Sequence, residues 1–349
     1  MERSQRRATW RVLKIVFTVG GFALAAAVVY GKRDEVLGAG DAIYHVRPGW
    51  VAVGVLLEIS AVVAFAELQR TLLHAGGVRA RLSRLTGVTV AGNALQNSLP
   101  GGGAWASVYA FRQFRRLGAD DVLAGWMLVA ISVLSAVGLA IVAVVGVAMA
   151  EADAVSADLL PAVALTVAFV IVSVLAVRRG VAGQILAKAV RLSQRLFKRP
   201  RGDVAAIIVK LQSRLEAVAP SRSSWAAGMT AALGNWVFDC AALAASFIAV
   251  HSLVPWRGLL LAYGAAQLAA NLPITPGGLG VVEGSLTIAL VAYGGAQRST
   301  VAAVLMYRLL SFWGLIAVGW VTLGATALWQ RTHPLDTAPD PHLQMEHAA

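Results

Sequence analysis

Residues 259–293 read LLLAYGAAQLAANLPITPGGLGVVEGSLTIALVAY, an apolar run broken at Pro273, Pro276, Gly277, Gly278 and Gly280 before a second apolar run resumes. Proline removes a backbone donor and clashes with the preceding turn, while glycine favours an open, irregular backbone. The stretch is too apolar for a surface loop and too interrupted for one helix. A second stretch has the same grammar. Residues 85–99 run for about 22 Å as helix at the usual rise, meet Pro100-Gly101-Gly102-Gly103, and are followed by 104–111. Polar amides crowd both breaks: Asn93, Gln96, Asn97 and Ser98 precede the first, Gln267 and Asn271 the second.

The rest of the chain says what surrounds these breaks. Of 349 residues, 58% are apolar and 14% charged, with a mean hydropathy of +0.69. Soluble domains carry about 25% charged residues, so a soluble enzyme, a disordered tail and a nucleic-acid module are poor readings of the chain as a whole. The net charge of +12 and pI near 10.6 instead mark cytoplasmic loops. One cysteine, Cys240, allows no disulfide framework. A spanning helix needs about 20 apolar residues, and six runs qualify: 10–30, 50–68, 122–150, 159–177, 225–250 and 301–329. Trp10, Trp50, Trp225 and Trp329 stand at their ends, as an interfacial belt requires. The first run is longer than a signal-peptide core and reads as a retained helix.

Charge assigns the sides. Arg3, Arg6, Arg7 and Arg11 place the N-terminus in the cytoplasm; Arg70, Arg79, Arg81 and Arg84 precede the first broken region, and Arg112, Arg115 and Arg116 follow it. Both ends of that region want the same side, which predicts a re-entrant hairpin. Glu151, Asp153 and Asp158 mark an outer loop, and residues 178–222 carry eleven Lys or Arg against Asp203 and Glu216. The second broken region then enters from outside. The sequence predicts an all-α polytopic membrane protein with six full spans and two re-entrant broken-helix hairpins, each half reading span, span, hairpin, span. Three crossings per half would invert the second copy, and inverted halves meeting at broken helices point to a transport site near the midplane. Two alternatives stay open: chance hydropathy symmetry, or two tilted full spans at each break.

The domains read as a cytoplasmic N-terminus (1–10), a first membrane half (11–177, re-entrant 85–111) and a basic amphipathic cytoplasmic insert (178–222). The remainder of the second half (223–329, re-entrant 259–293, with 159–177 as its first span) and a disordered cytoplasmic tail (330–349) complete the chain. The insert either lies on an anionic leaflet or is a topology-setting linker.

Irregular backbone at membrane depth must be buried in protein or line a wet cavity. Helices starting after the glycine loops are expected to aim free N–H groups and a positive dipole end into such a cavity, where a lipid phosphate fits. The candidate binding residues at the first break are Asn97, Pro100, Gly101 and Gly102. At the second they are Asn271, Pro273, Pro276, Gly277, Gly278, Gly280 and Glu283, with Arg308 from the last span. The bland alternative is that the amides only satisfy the broken backbone, and that Glu283 and Arg308 are a fixed ion pair. Glu58 and Asp239 also sit inside apolar runs and are candidates for proton coupling. Arg112, Glu67 and Lys14 lie near span ends, where snorkelling explains them. The six histidines lack ligand spacing, and there is no GxxxxGK loop; no catalytic residue, metal site or cofactor is expected.

Residues 270–284, ANLPITPGGLGVVEG, followed by Tyr307-Arg308-Leu309-Leu310-Ser311-Phe312-Trp313, resemble the flippase-like membrane domain of lysylphosphatidylglycerol synthases. Asn97-Ser98-Leu99-Pro100-Gly101-Gly102-Gly103 resembles that family's earlier motif, and the likeness spans roughly residues 11–329. The resemblance implies re-entrant segments and movement of aminoacylated phospholipid to the outer leaflet. Pro273, Pro276, Gly277, Gly278, Gly280, Glu283 and Arg308 match the second motif by position. Ala104 and Trp105 stand where the earlier motif has a polar or acidic residue, and only about 20 residues follow Trp329, so lysyl transfer is not expected of this chain.

The expected function is translocation of a phosphate-bearing or polyprenyl-linked lipid between leaflets of the plasma membrane, without enzymatic activity. The alternative is an accessory subunit presenting a lipid-linked substrate to a glycosyltransferase or synthase; a membrane-embedded transferase is a third choice. Anionic membrane lipids and a lipid-modifying enzyme are the expected partners, and nucleic acid is not.

Overall fold

The computed structural model describes residues 46–99, 101–150, 220–270 and 276–332. In chain order the helices are α1 (Pro48–Ala75), α2 (Leu82–Ser98), α3 (Gly102–Arg116), α4 (Asp121–Met149) and α5 (Arg222–Ala249). They continue as α6 (Trp256–Ala270), α7 (Val281–Ala292), α8 (Gln297–Arg308) and α9 (Leu315–Thr332). No strand occurs among the described residues. The expected spans 10–30 and 159–177, nearly all of the basic insert and most of the tail lie outside them.

Long helices form where apolar runs are uninterrupted. Pro48 opens α1 at a position where its missing N–H costs nothing. Asp120 caps α4 by accepting from the Leu123 N–H at 2.8 Å, and Ser221 caps α5 from Ser224 at 3.1 Å. Helix α8 continues into α9 through a wide π-type turn, Leu309–Gly314. Four helices are long and apolar enough to cross a bilayer, namely Pro48–Ala75, Asp121–Met149, Arg222–Ala249 and Gln297–Leu328. They coincide with four of the six runs read from sequence. Leu56, Ile59, Val144, Val321 and Leu328 are exposed on their outer faces, as a lipid-facing surface requires.

The two broken regions fold as pairs of short helices, α2–α3 and α6–α7, each pair packed together. At 17, 15, 15 and 12 residues, none reaches the about 20 residues that span hydrocarbon. Each pair is a hairpin with its ends together. Residues 79–81 before α2 and Arg84 in its first turn share a cavity with residues 116–117 at the end of α3, and Gly258 at the start of α6 lies against Tyr293 after α7.

The hairpins open at opposite ends of the molecule because α1 and α5 are antiparallel. The Arg47 N–H donates to the Ala249 carbonyl at 2.9 Å, Ala64 lies beside Gly234, and Leu68 lies beside Gly228. Rising numbers in one helix therefore meet falling numbers in the other. Since α1 runs into the first hairpin and α5 into the second, the two tips approach from opposite sides, and they meet. A Cβ on Gly277 would lie 2.9 Å from the Asn97 carbonyl oxygen, and the 276–278 turn packs on α2. Trp320 of α9 closes the contact by donating to Ser98 Oγ at 3.1 Å. Two apolar cores flank this meeting point, one around Leu68, Leu85, Phe114 and Met127, the other around Phe247, Tyr263, Leu286 and Tyr307.

Candidate functional site

Asp239, in the middle of α5, gathers donors from two neighbouring helices. Its carboxylate accepts from the Tyr263 hydroxyl at 2.6 Å and the Gln267 amide at 3.3 Å on one oxygen, and from the Tyr307 hydroxyl at 2.8 Å on the other. Tyr263 and Gln267 are one turn apart on α6, so a single face supplies both. Glu58 of α1 faces Asp239 directly; it is 5% exposed, and its Oε1 has no hydrogen-bond partner. A buried carboxyl oxygen without a partner is costly.

Arg308 follows Tyr307 on α8 and turns toward the glycine loop. Its Nε donates to Glu283 Oε1 at 2.6 Å, and a terminal nitrogen donates to the Gly277 carbonyl at 3.2 Å. The guanidinium also lies 4.1 Å from the centre of the Phe312 ring, a favourable cation–π placement. Glu283, in the first turn of α7, reaches back so that its Oε2 accepts from the Gly280 N–H at 2.7 Å. Arg308 is 8% exposed. The glycines are required here: Gly277, Gly278 and Gly280 have φ of 61°, 69° and 80°, the left-handed region in which a Cβ is strained. The loop therefore bends back on itself, and the following helix begins at Val281, with the N–H of its cap, Gly280, directed to Glu283.

This geometry bears on one of the expected helix-start donors. The sequence led to free N–H groups at the start of the helix after the second glycine loop; of these, the Gly280 N–H at the cap is taken by Glu283. The physical cause is the carboxylate's position three residues after the helix cap, from which it can fold back onto the cap. The protein thus supplies its own anion at this helix start.

The other candidates are distributed as follows. Asn97 lies at the tip of α2, touching the Gly277 turn through its backbone. Gly101 has φ 65° and precedes α3, and Gly102 is buried against the Gln96 backbone, where a Cβ has no room. Pro276 opens the 276–278 turn. Pro100, Asn271 and Pro273 lie outside the described residues. Glu58 and Asp239 prove to be one pair rather than two separate charges. Sequence reasoning gave Tyr263 no role and treated Tyr307 only as part of a motif. The signal for both was available, since an acid in the middle of an apolar helix needs donors, and Tyr263 with Gln267 has helical spacing. Among the described residues no group of His, Cys, Asp or Glu is arranged to hold a metal ion.

Apolar helices long enough to cross a bilayer, with two short-helix hairpins meeting tip to tip beside a buried ionic cluster, define a multi-pass membrane protein. The model of the lysylphosphatidylglycerol synthase TM region matches residues 11–319, and the chain belongs to that family. It is also similar to a protein described as a "UPF0104 membrane protein" from Methanothermobacter thermautotrophicus, with 23% identity over 319 residues, covering 87% of this chain and 93% of that one.

Proposed function

We propose that the protein moves a phosphate-bearing or polyprenyl-linked lipid between leaflets, its head group handled where the hairpin tips meet and its chains left in the bilayer. The reading takes the membrane arrangement to be six full spans with two re-entrant hairpins in inverted halves, lying in the plasma membrane with both termini cytoplasmic. One observation carries it: the Glu283 carboxylate held between Arg308 and the Gly280 N–H. A guanidinium and a helix-start amide are the donors that a phosphate oxygen uses. Glu283 is then a tethered stand-in anion. An arriving head group displaces it from Arg308, and it returns when the lipid leaves, so the arginine is never left uncompensated in the membrane.

The neighbouring acids supply a means of coupling. Two carboxyls in contact hold a proton between them rather than two charges. Tyr307, the residue next to Arg308, donates to Asp239. A proton added to or removed from the Glu58–Asp239 pair changes what Tyr307 bonds, and so shifts Arg308 relative to the glycine loop. Family membership supports the lipid as cargo.

The test is reconstitution of the pure protein in liposomes with a labelled phosphatidylglycerol, following leaflet exchange by quenching of the outer label. Exchange above that of empty liposomes, returned to the empty rate by Arg308→Ala, is expected. Equal rates in loaded and empty liposomes, or full activity in Arg308→Ala, would overturn the proposal. Co-purification with a glycosyltransferase or synthase, together with no exchange, would assign the accessory role instead.

A further inference from the structure

The seam between α1 and α5 carries acids at one place and none at another. The contacts of Ala64 with Gly234 and of Leu68 with Gly228 fix its antiparallel register, and continuing that register past Ala64 sets Glu58 level with Asp239. Between those two contacts stand Ala66 and Ala231, both buried. The helices pack closely there without a polar side chain, so packing does not call for two acids further along.

Charge does not balance around the pair. Both Asp239 oxygens accept, one from Tyr263 and one from Tyr307, which leaves the two acids a single hydrogen to share. Arg308, whose field reaches Asp239, is held by Glu283 at 2.6 Å. Three carboxyls, one guanidinium and one shared hydrogen leave a net negative charge, and a buried charge without compensation is costly. The same place has an oxygen with nothing to bind. The two oxygens of a carboxyl share a carbon, so Oε1 of Glu58, buried and without a hydrogen-bond partner, lies beside the contact with Asp239. Ser311 adds a second buried oxygen without a partner; it follows Leu310, which reaches Gly54 one turn before Glu58. Tyr263 and Tyr307, both buried, pack against the pair, which suits a single ion and not an organic ligand. Oxygen ligands select a hard cation. Zinc is set aside, because among the described residues no group of three His, Cys, Asp or Glu is assembled to hold it. One missing positive charge calls for a monovalent ion.

We infer that the Glu58–Asp239 pair binds an alkali cation at the α1–α5 seam, through the unpartnered Oε1 of Glu58. The role of that cation in coupling rests on the function proposed above, while its binding does not require that lipid be moved. Cation sites near the middle of a membrane protein are built in this way from buried oxygens beside irregular helix. The full-length protein in phosphatidylcholine nanodiscs is titrated with sodium chloride and, separately, with potassium chloride, choline chloride holding the ionic strength constant at one pH. Tryptophan fluorescence and melting temperature are read together. Trp236 lies edge-on to Tyr263 with ring centroids 6.4 Å apart, so it reports on the cluster, and a bound ion raises the melting temperature. Glu58→Gln and Glu58→Asp are compared with wild type. Glu67→Gln is the control, an acid on the same helix that pairs with Arg70 at 2.8 Å.

A saturable response to sodium or potassium, weakened about tenfold or more in Glu58→Gln as ligand charge falls and kept in Glu67→Gln, supports the inference. No response to either cation overturns it, as does an equal response in Glu58→Gln or the same loss in Glu67→Gln; a buried water then answers the Glu58 oxygen. Where Glu58→Gln does not fold, Glu58→Asp decides: it keeps the charge on a shorter stem, so weaker binding supports the site and unchanged binding overturns it. The two proposals fail separately. A wild type that binds the cation but shows no leaflet exchange defeats the translocator and leaves the cation site standing. Exchange at full rate in choline chloride, with no cation response, overturns the cation site and leaves the translocator.

Discussion

At Glu283 a single carboxylate answers two donors, and removing it exposes both. Glu283→Ala leaves the Arg308 guanidinium with only the Gly277 carbonyl and the Phe312 ring, and breaking a buried pair from one side costs about 3 kcal/mol. The double variant Glu283→Ala/Arg308→Ala removes the stranded charge with its partner, so it is expected to melt higher in detergent than Glu283→Ala alone. A double variant no more stable than the single would mean the ion pair is not coupled in the way its 2.6 Å contact implies. Glu283→Gln tests the exchange reading, because an amide is a poor competitor for a phosphate. It is expected to bind short-chain phosphatidylglycerol more tightly than wild type while moving labelled lipid more slowly, since nothing returns to release the head group. At Asp239 the expectation concerns protons. Asp239→Asn keeps the shape but cannot share a proton with Glu58 as an acid does, so exchange in liposomes should lose any response to an imposed pH gradient. A gradient response that survives in Asp239→Asn would remove the pair from the coupling route.

Among the elements, the glycine turn between α6 and α7 is where geometry is tightest. Gly277 combines a left-handed φ of 61° with crowding by Phe312 and the Asn97 carbonyl. Gly294, after α7, has φ 94° but open space where a Cβ would go. An alanine in left-handed conformation costs about 1–2 kcal/mol on its own, so Gly294→Ala should lose about that much. Gly277→Ala should lose more, and should also loosen the α2 tip; thermal unfolding that ranks the two equally would mean the hairpin tips do not press together. The breaks were legible because proline and glycine act locally, so Pro100 and Pro273 announced two interrupted apolar runs without any knowledge of their neighbours. The long helices were legible for the same local reason. What α6 does with Tyr263 and Gln267 was not, because a tyrosine on an apolar helix reads the same whether it packs or donates, and only the position of α5 beside it decides. The wide turn after Arg308 was hidden too, since Leu309–Gly314 has no residue that forces it; turns of this type recur at functional sites, and this one sets Phe312 beneath the guanidinium.

On the scale of the whole molecule, the two halves share an order of elements and a spacing. Each described half runs long helix, short, short, long, with α2 packed on α9 and α6 packed on α4. Gly146 of α4 gives way to the Leu261 backbone of α6, and Gly319 of α9 gives way to the Val90 carbonyl of α2. These two notches are 173 residues apart, as are Pro100 and Pro273. This exchange of partners between halves, with α1 and α5 antiparallel, is what the proposed inverted arrangement requires. The chemistry does not follow the symmetry. The positions in the first half that correspond at this spacing to Tyr263, Glu283 and Arg308 are Val90, Ala110 and Ser135, so the ionic cluster belongs to one hairpin alone. Everything in this arrangement depends on α1 and α5 running past each other in opposite directions, and one crosslink checks it. A Cβ on Gly234 lies 3.6 Å from that of Ala64, inside the Cβ separation of about 3.5–4.5 Å that a disulfide needs. In a Cys240→Ala background, Ala64→Cys/Gly234→Cys should therefore oxidise to an internal disulfide with a mild oxidant, seen as a mobility shift that reductant reverses. Ala64→Cys paired instead with Gly228→Cys, which faces Leu68 one turn further along, should crosslink far less. If the two pairs oxidise equally, or only the second does, the register between the halves is different, and the meeting of the hairpin tips loses its frame.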